Sequence, residues 1–127
     1  MNAWLLVPTG SLDNGQLGET AEPVPAPGEA LLKVEFAALN PADRYLAEGE
    51  YPAKPALPHI LGRDGIGTVV ALGSPGPAQA LAPPQIGDRR LLLRSEVGVT
   101  RRGTFAEFAT IPMESLVPPP ANWSPEQ

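Results

Sequence analysis

The sequence predicts a mainly β fold with one or two short helices. Apolar residues recur in short alternating runs, and the 13 glycines and 17 prolines fall between those runs rather than in a low-complexity tract. Only one stretch carries both a helix start and a helix stop.

Residues 3–8 read as a first strand, with Trp4, Leu5, Leu6 and Val7 as its apolar body. Pro23, Pro25 and Pro27 keep the next stretch extended, because the residue before a proline is steered away from the α region. Pro27-Gly28 marks a turn. Residues 29–38 follow as a strand that places Leu32, Val34 and Phe36 on one face and Leu31, Lys33 and Glu35 on the other.

Residues 40–48 predict a short helix. Asn40 can cap it, Pro41 suits its first position, Asp43 complements its dipole, and Gly49 ends it. Residues 50–59 contain three prolines and read as loop. Residues 64–72 form a strand in which Gly65 and Gly67 mark a bulge or a close backbone approach. An exposed loop spans 74–85, and further strands are expected at 86–94 and 104–111. Pro118, Pro119 and Pro120 stiffen the chain after them. Ser124, Pro125 and Gln127 then have the spacing of an N-cap, N1 and N3. The expected organisation is one β-rich domain over 1–121, with 122–127 opening a helix that leads into a further domain.

The net charge of −5 and a pI near 4.8 argue against a nucleic-acid partner. With no cysteine, the sequence excludes disulfides and thiolate-bound metals. No apolar run approaches the roughly 18 residues of a membrane helix. The start lacks the basic and small-residue pattern of a secretory signal. These features lead us to expect a cytoplasmic protein with no membrane partner.

Four ordered segments carry a family resemblance: Ala38-Leu39-Asn40-Pro41-Ala42-Asp43, Gly49-Glu50-Tyr51-Pro52, the run from Pro58 to Val69, and Gly103-Thr104-Phe105-Ala106-Glu107-Phe108. Ile86-Gly87-Asp88-Arg89 lies between the last two, and P-x-N-x-S-x-E-Q closes the chain. Together they resemble the medium-chain dehydrogenase/reductase superfamily. The resemblance implies a GroES-like, partly open β-barrel that works against a Rossmann domain. This chain has no G-x-G-x-x-G, so the pyrophosphate site is expected in the other domain.

The same resemblance implies a zinc-free, quinone oxidoreductase-like branch. Zinc-dependent members place a Cys where Asn40 stands and a His-Glu pair where Arg63-Asp64 stand. A guanidinium offers no lone pair to a metal, so no zinc is expected. By resemblance, Asn40 lies near the nicotinamide of NADPH and the substrate carbonyl; a plain helix cap is compatible with that role. Tyr45 and Tyr51 would line the substrate side of the cleft, with ordinary core packing as their alternative. Asp43, Arg63 and Asp64 would support the site from behind, and the single histidine, His59, is weak evidence for catalysis.

The expected function is reduction of a quinone or enone by NADPH in the full-length protein, with no turnover by these 127 residues alone. An enoyl-thioester reductase is the nearest alternative. From another class comes a free-standing β-barrel binding or assembly module, for which the 74–85 loop would be the docking segment. Exposed sheet edges lead us to expect homodimers or strand exchange.

Overall fold

A computed structural model describes residues 1–76, 82–93 and 95–127. In chain order the regular elements are β1 (Asn2–Leu6), β2 (Gly15–Glu19), β3 (Glu29–Ala38), α1 (Pro41–Ala47), β4 (His59–Ile60), β5 (Asp64–Leu72), β6 (Arg89–Leu92), β7 (Phe108–Pro112) and β8 (Leu116–Val117). Single 3-10 turns precede β2 and β8. The strands pair antiparallel in two sheets, one ordered β2-β1-β4 and the other β7-β3-β5-β6-β8. The larger sheet curls into the half-barrel of a GroES-like fold, and an Ala3–Ala106 bridge joins it to the smaller one.

Two apolar cores follow from this arrangement. Ala30, Leu32, Val69, Leu92, Ala109 and Ile111 fill the larger sheet's concave face. Leu6, Leu46, Ala47, Leu61 and Val99 pack α1 onto the smaller sheet. The second core fixes the helix, and with it Asn40, against the strand entry at residues 61–64.

The expected bounds of the strands at 29–38 and 64–72 agree with β3 and β5. The simple alternation along β3 does not survive. The register shifts between Leu31 and Leu32 and again between Val34 and Phe36. A bulge adds an unopposed residue and re-aims its neighbours, so Leu31 and Leu32 are both buried while Phe36 is exposed. At Gly67 a Cβ would lie 2.1 Å from the Lys33 carbonyl oxygen, which explains the close approach read from the glycine.

The strand expected at 86–94 contracts to β6, because a turn at Gly87, with φ of +95°, takes up its first residues. The strand expected at 104–111 begins only at Phe108, because residues 103–105 bond instead to the carbonyls of Ile60, Leu61 and Gly62. Short-range patterning gave no sign of β2, β4 or β8. Part of the loop expected at 74–85 lies outside the described residues. Near the end of the chain, the Ser124 N–H donates to Gln127 Oε1 at 2.7 Å, the reciprocal bond of a capping box.

Candidate functional site

Asn40 stands at the N-cap of α1, in extended conformation at φ −118° and ψ 149°. Its backbone N–H donates to Asp43 Oδ2 at 2.9 Å, and its Nδ2 donates to Asp64 Oδ2 at 2.6 Å. The other oxygen of Asp43 accepts the Gly62 N–H at 3.1 Å. One carboxylate therefore closes the first turn of the helix and holds the chain just ahead of β5. The Thr104 hydroxyl donates to the Asp64 carbonyl at 2.8 Å and secures the same entry from the far side.

Gly62 makes this crossing possible. Its φ is +102°, and a Cβ there would lie 2.4 Å from Thr104 Oγ1 and 2.7 Å from the Phe105 ring. Any other residue would be both strained and overpacked. Gly98 and Gly103 press their backbones onto the Gly62 carbonyl in the same way.

Asp43 is 5% exposed. Burial pushes its carboxyl above the usual range and so favours the neutral form. The bonds from Asn40 and Gly62 and the charge of Arg63 oppose that shift, while the charge of Asp64 adds to it. His59 belongs to β4 rather than to a proline loop and is 1% exposed, with Nε2 3.2 Å from the Gly98 carbonyl. It lines neither of the clefts at Asn40.

Two clefts meet at Asn40. The first, of about 450 Å³, is almost wholly apolar; Trp4, Leu12, Leu39, Leu61 and Phe105 line it beside Asn40. The second, of about 380 Å³, is polar and lies among Asn40, Arg63, Asp64, Leu93 and Ser95. A carboxamide at the shared wall can donate and accept, so a ligand with an apolar body and a carbonyl edge meets matching chemistry on both sides.

The structure brings Asn40, Asp43, Arg63 and Asp64 together. Tyr51 stands behind them: it packs on the second core, its hydroxyl accepts from Arg63 Nη1 at 3.3 Å, and the guanidinium lies 5.7 Å from its ring centre. Tyr45 is 49% exposed and lines neither cleft at Asn40, because the inward face of α1 is taken by Asp43, Leu46 and Ala47. Sequence reasoning did not select Trp4, Leu39, Leu93 or Ser95 as site residues. Trp4 reads as an ordinary strand residue, and only the pairing of β1 beside the 103–105 segment brings it to the cleft. Among the described residues, no group of three or more His, Cys, Asp and Glu is placed to hold a metal. No helix is long and apolar enough to cross a membrane among them.

Comparison with known proteins places this geometry. The alcohol dehydrogenase GroES-like domain model matches residues 26–121. The chain is 32% identical over 114 residues to a trans-enoyl reductase of Aspergillus terreus, covering 87% of this chain and 37% of that protein. It is 37% identical over 114 residues to a zinc-type alcohol dehydrogenase-like protein of Schizosaccharomyces pombe, covering 87% and 32%. To a quinone oxidoreductase of Pongo abelii it is 35% identical over 91 residues, covering 72% and 25%. A mycobacterial protein solved in complex with NADPH superposes with a TM-score of 0.81 at 31% identity, over 99% of this chain and 36% of that one. The chain thus spans between 25% and 37% of the length of these curated relatives. The matched family, the ordered motifs and the half-barrel agree: the chain belongs to the alcohol dehydrogenase GroES-like domain family of the medium-chain dehydrogenase/reductase superfamily.

Proposed function

We propose that these residues form the substrate-side domain of an NADPH-dependent reductase of quinones or other conjugated carbonyls, working without zinc against a dinucleotide-binding domain. The observation that carries this reading is Asn40, fixed by Asp64 at the wall shared by an apolar and a polar cleft. The apolar cleft takes the flat body of a quinone or enone and excludes water. The carboxamide then orients the carbonyl edge. NADPH, when bound, supplies the hydride. The residues fit only the nicotinamide edge of that cofactor, since no glycine-rich phosphate turn is present.

Support for zinc-free chemistry comes from the residue types. Asn40 is bonded to Asp64, and Arg63 is a cation that cannot ligate. Treatment with EDTA is expected to leave the rate unchanged. Tyr51 would act by bracing Arg63. Tyr45 would reach substrate only at the outer rim, from the exposed side of α1.

Leu39, Leu93, Phe36 and Trp123 are exposed apolar residues. Leu39 and Leu93 line the two clefts, and Phe36 lines a third beside Asp64. This surface suits a dinucleotide-binding domain seated over the clefts, with 122–127 as the crossing. Left uncovered, it would favour self-association of the 127-residue chain.

The test is spectrophotometric. The domain joined to its dinucleotide-binding partner is expected to oxidise NADPH with 1,4-benzoquinone, and residues 1–127 alone to give a flat trace. Turnover by the 127-residue chain alone would overturn the reading. An enoyl thioester is the second substrate to assay, because a trans-enoyl reductase is among the relatives.

A further inference from the structure

Arg63 stands apart from the other described cations. Arg44, Arg89, Arg90 and Arg101 each pair with a carboxylate, whereas among the described residues Arg63 has no ion pair. It is half-buried and lines the polar cleft. Its held contacts are the Tyr51 hydroxyl and ring, which fix the guanidinium from behind. A guanidinium carries five N–H donors in a rigid fork, so most of them remain for a ligand.

Two neighbours narrow the ligand. Asp64 shares the cleft, with one oxygen bonded to Asn40, and its charge tells against a dianion such as phosphate. The Ser95 hydroxyl accepts from the Val97 N–H at 2.9 Å and keeps its own proton to donate. Donors from Arg63, Ser95 and Asn40 around one carboxylate favour a single oxygen that gains charge during reaction.

We propose that Arg63 is the direct donor to the carbonyl oxygen of the substrate, a positive charge set where zinc-dependent relatives carry a metal ligand. This rests on the reductase reading above. When a conjugated carbonyl accepts a hydride from NADPH, a carbon–hydrogen bond forms, a π bond breaks, and the electron pair comes to rest on oxygen. Arg63 stabilises that enolate or quinol monoanion until water returns a proton. Donors fixed before charge develops are the effective ones.

The probe is 4-nitrophenol, whose ionised form resembles the quinol monoanion. Binding to the 127-residue chain is followed by amide NMR shifts and by the nitrophenolate absorbance, with no cofactor present. The phenolate is expected to bind about tenfold more tightly than the phenol, the scale of one charge-assisted hydrogen bond. Arg63→Gln is expected to abolish that preference, Arg63→Lys to keep part of it, and Tyr51→Phe to weaken it. Equal affinity of the wild type for both forms overturns the inference, whatever the variants do. Absence of NADPH oxidation with the phenolate preference intact would count instead against the reductase reading.

Discussion

Asn40 Nδ2 donates to Asp64 Oδ2 at 2.6 Å and ties the entry of α1 to the entry of β5 across 24 residues of sequence. Replacing Asn40 by Asp would set two carboxylates face to face. Each then disfavours ionisation of the other and raises the folded-state pKa. The sign follows: the variant's stability is retained below the unfolded carboxyl value and lost as pH rises through the raised one. Asn40→Asp is expected to lose about 1–3 kcal/mol near neutral pH, with much less lost in acid. Urea melts at the two pH values measure this; equal losses would show that the pair is not in contact.

Asp43 gives a second pH signature. Burial raises its carboxyl above 3.8, so the folded state holds the proton more tightly than the unfolded chain. This contribution is fully present below 3.8 and is lost as pH rises through the folded value. The stability margin of wild type over Asp43→Asn is therefore expected to narrow from acid to neutral pH. Asp43→Ala removes the acceptor of both the Asn40 and Gly62 N–H groups and is expected to lose about 1–3 kcal/mol for each donor left buried. A margin between wild type and Asp43→Asn that does not change with pH would contradict this assignment.

Much of this site was legible because it is local. Asn40, Pro41 and Asp43 announce a helix start by residue type and spacing, and Gly62 to Gly67 announce a tight strand entry. The long-range partners were not legible. Nothing in the short-range pattern says that Asp64 bonds Asn40 or that Trp4 lines the cleft, since both follow from strand pairing and loop crossing. β4 was hidden for a similar reason: two residues behind a proline-rich loop carry no period, and only pairing with β1 makes them a strand. Phe36 was placed inward by alternation that two bulges interrupt.

His59 reports on the packing of β4. A carbonyl only accepts, so the bond to Gly98 requires the proton on Nε2 of the neutral ring. Burial holds its pKa below 6.5; the Gly98 bond opposes this, and the charge of Arg102 adds to it. For a depressed base the stabilisation is fully present above 6.5 and is lost as pH falls through the folded value. His59→Gln keeps a donor without the titration. The margin of wild type over this variant is expected to shrink between about pH 7.5 and about pH 5 in chemical denaturation. A margin that stays constant would mean that His59 does not change its charge on unfolding within that range.

Trp4 and Gly15 face each other across β1 and β2. A Cβ on Gly15 would lie 1.7 Å from Trp4 Cζ2, so the indole lies directly on the glycine backbone while also lining the apolar cleft. Gly15→Ala must push the ring away, and overpacking of this kind costs about 1–3 kcal/mol. Trp4 and Trp123 are the only tryptophans, so a Trp123→Phe background isolates the emission of Trp4. In that background Gly15→Ala is expected to red-shift the emission as the indole meets water and to weaken binding of an apolar quinone in the cleft. If emission and stability were both unchanged, the stacked ring would not be the wall of the cleft, and the placement of Trp4 described above would be wrong.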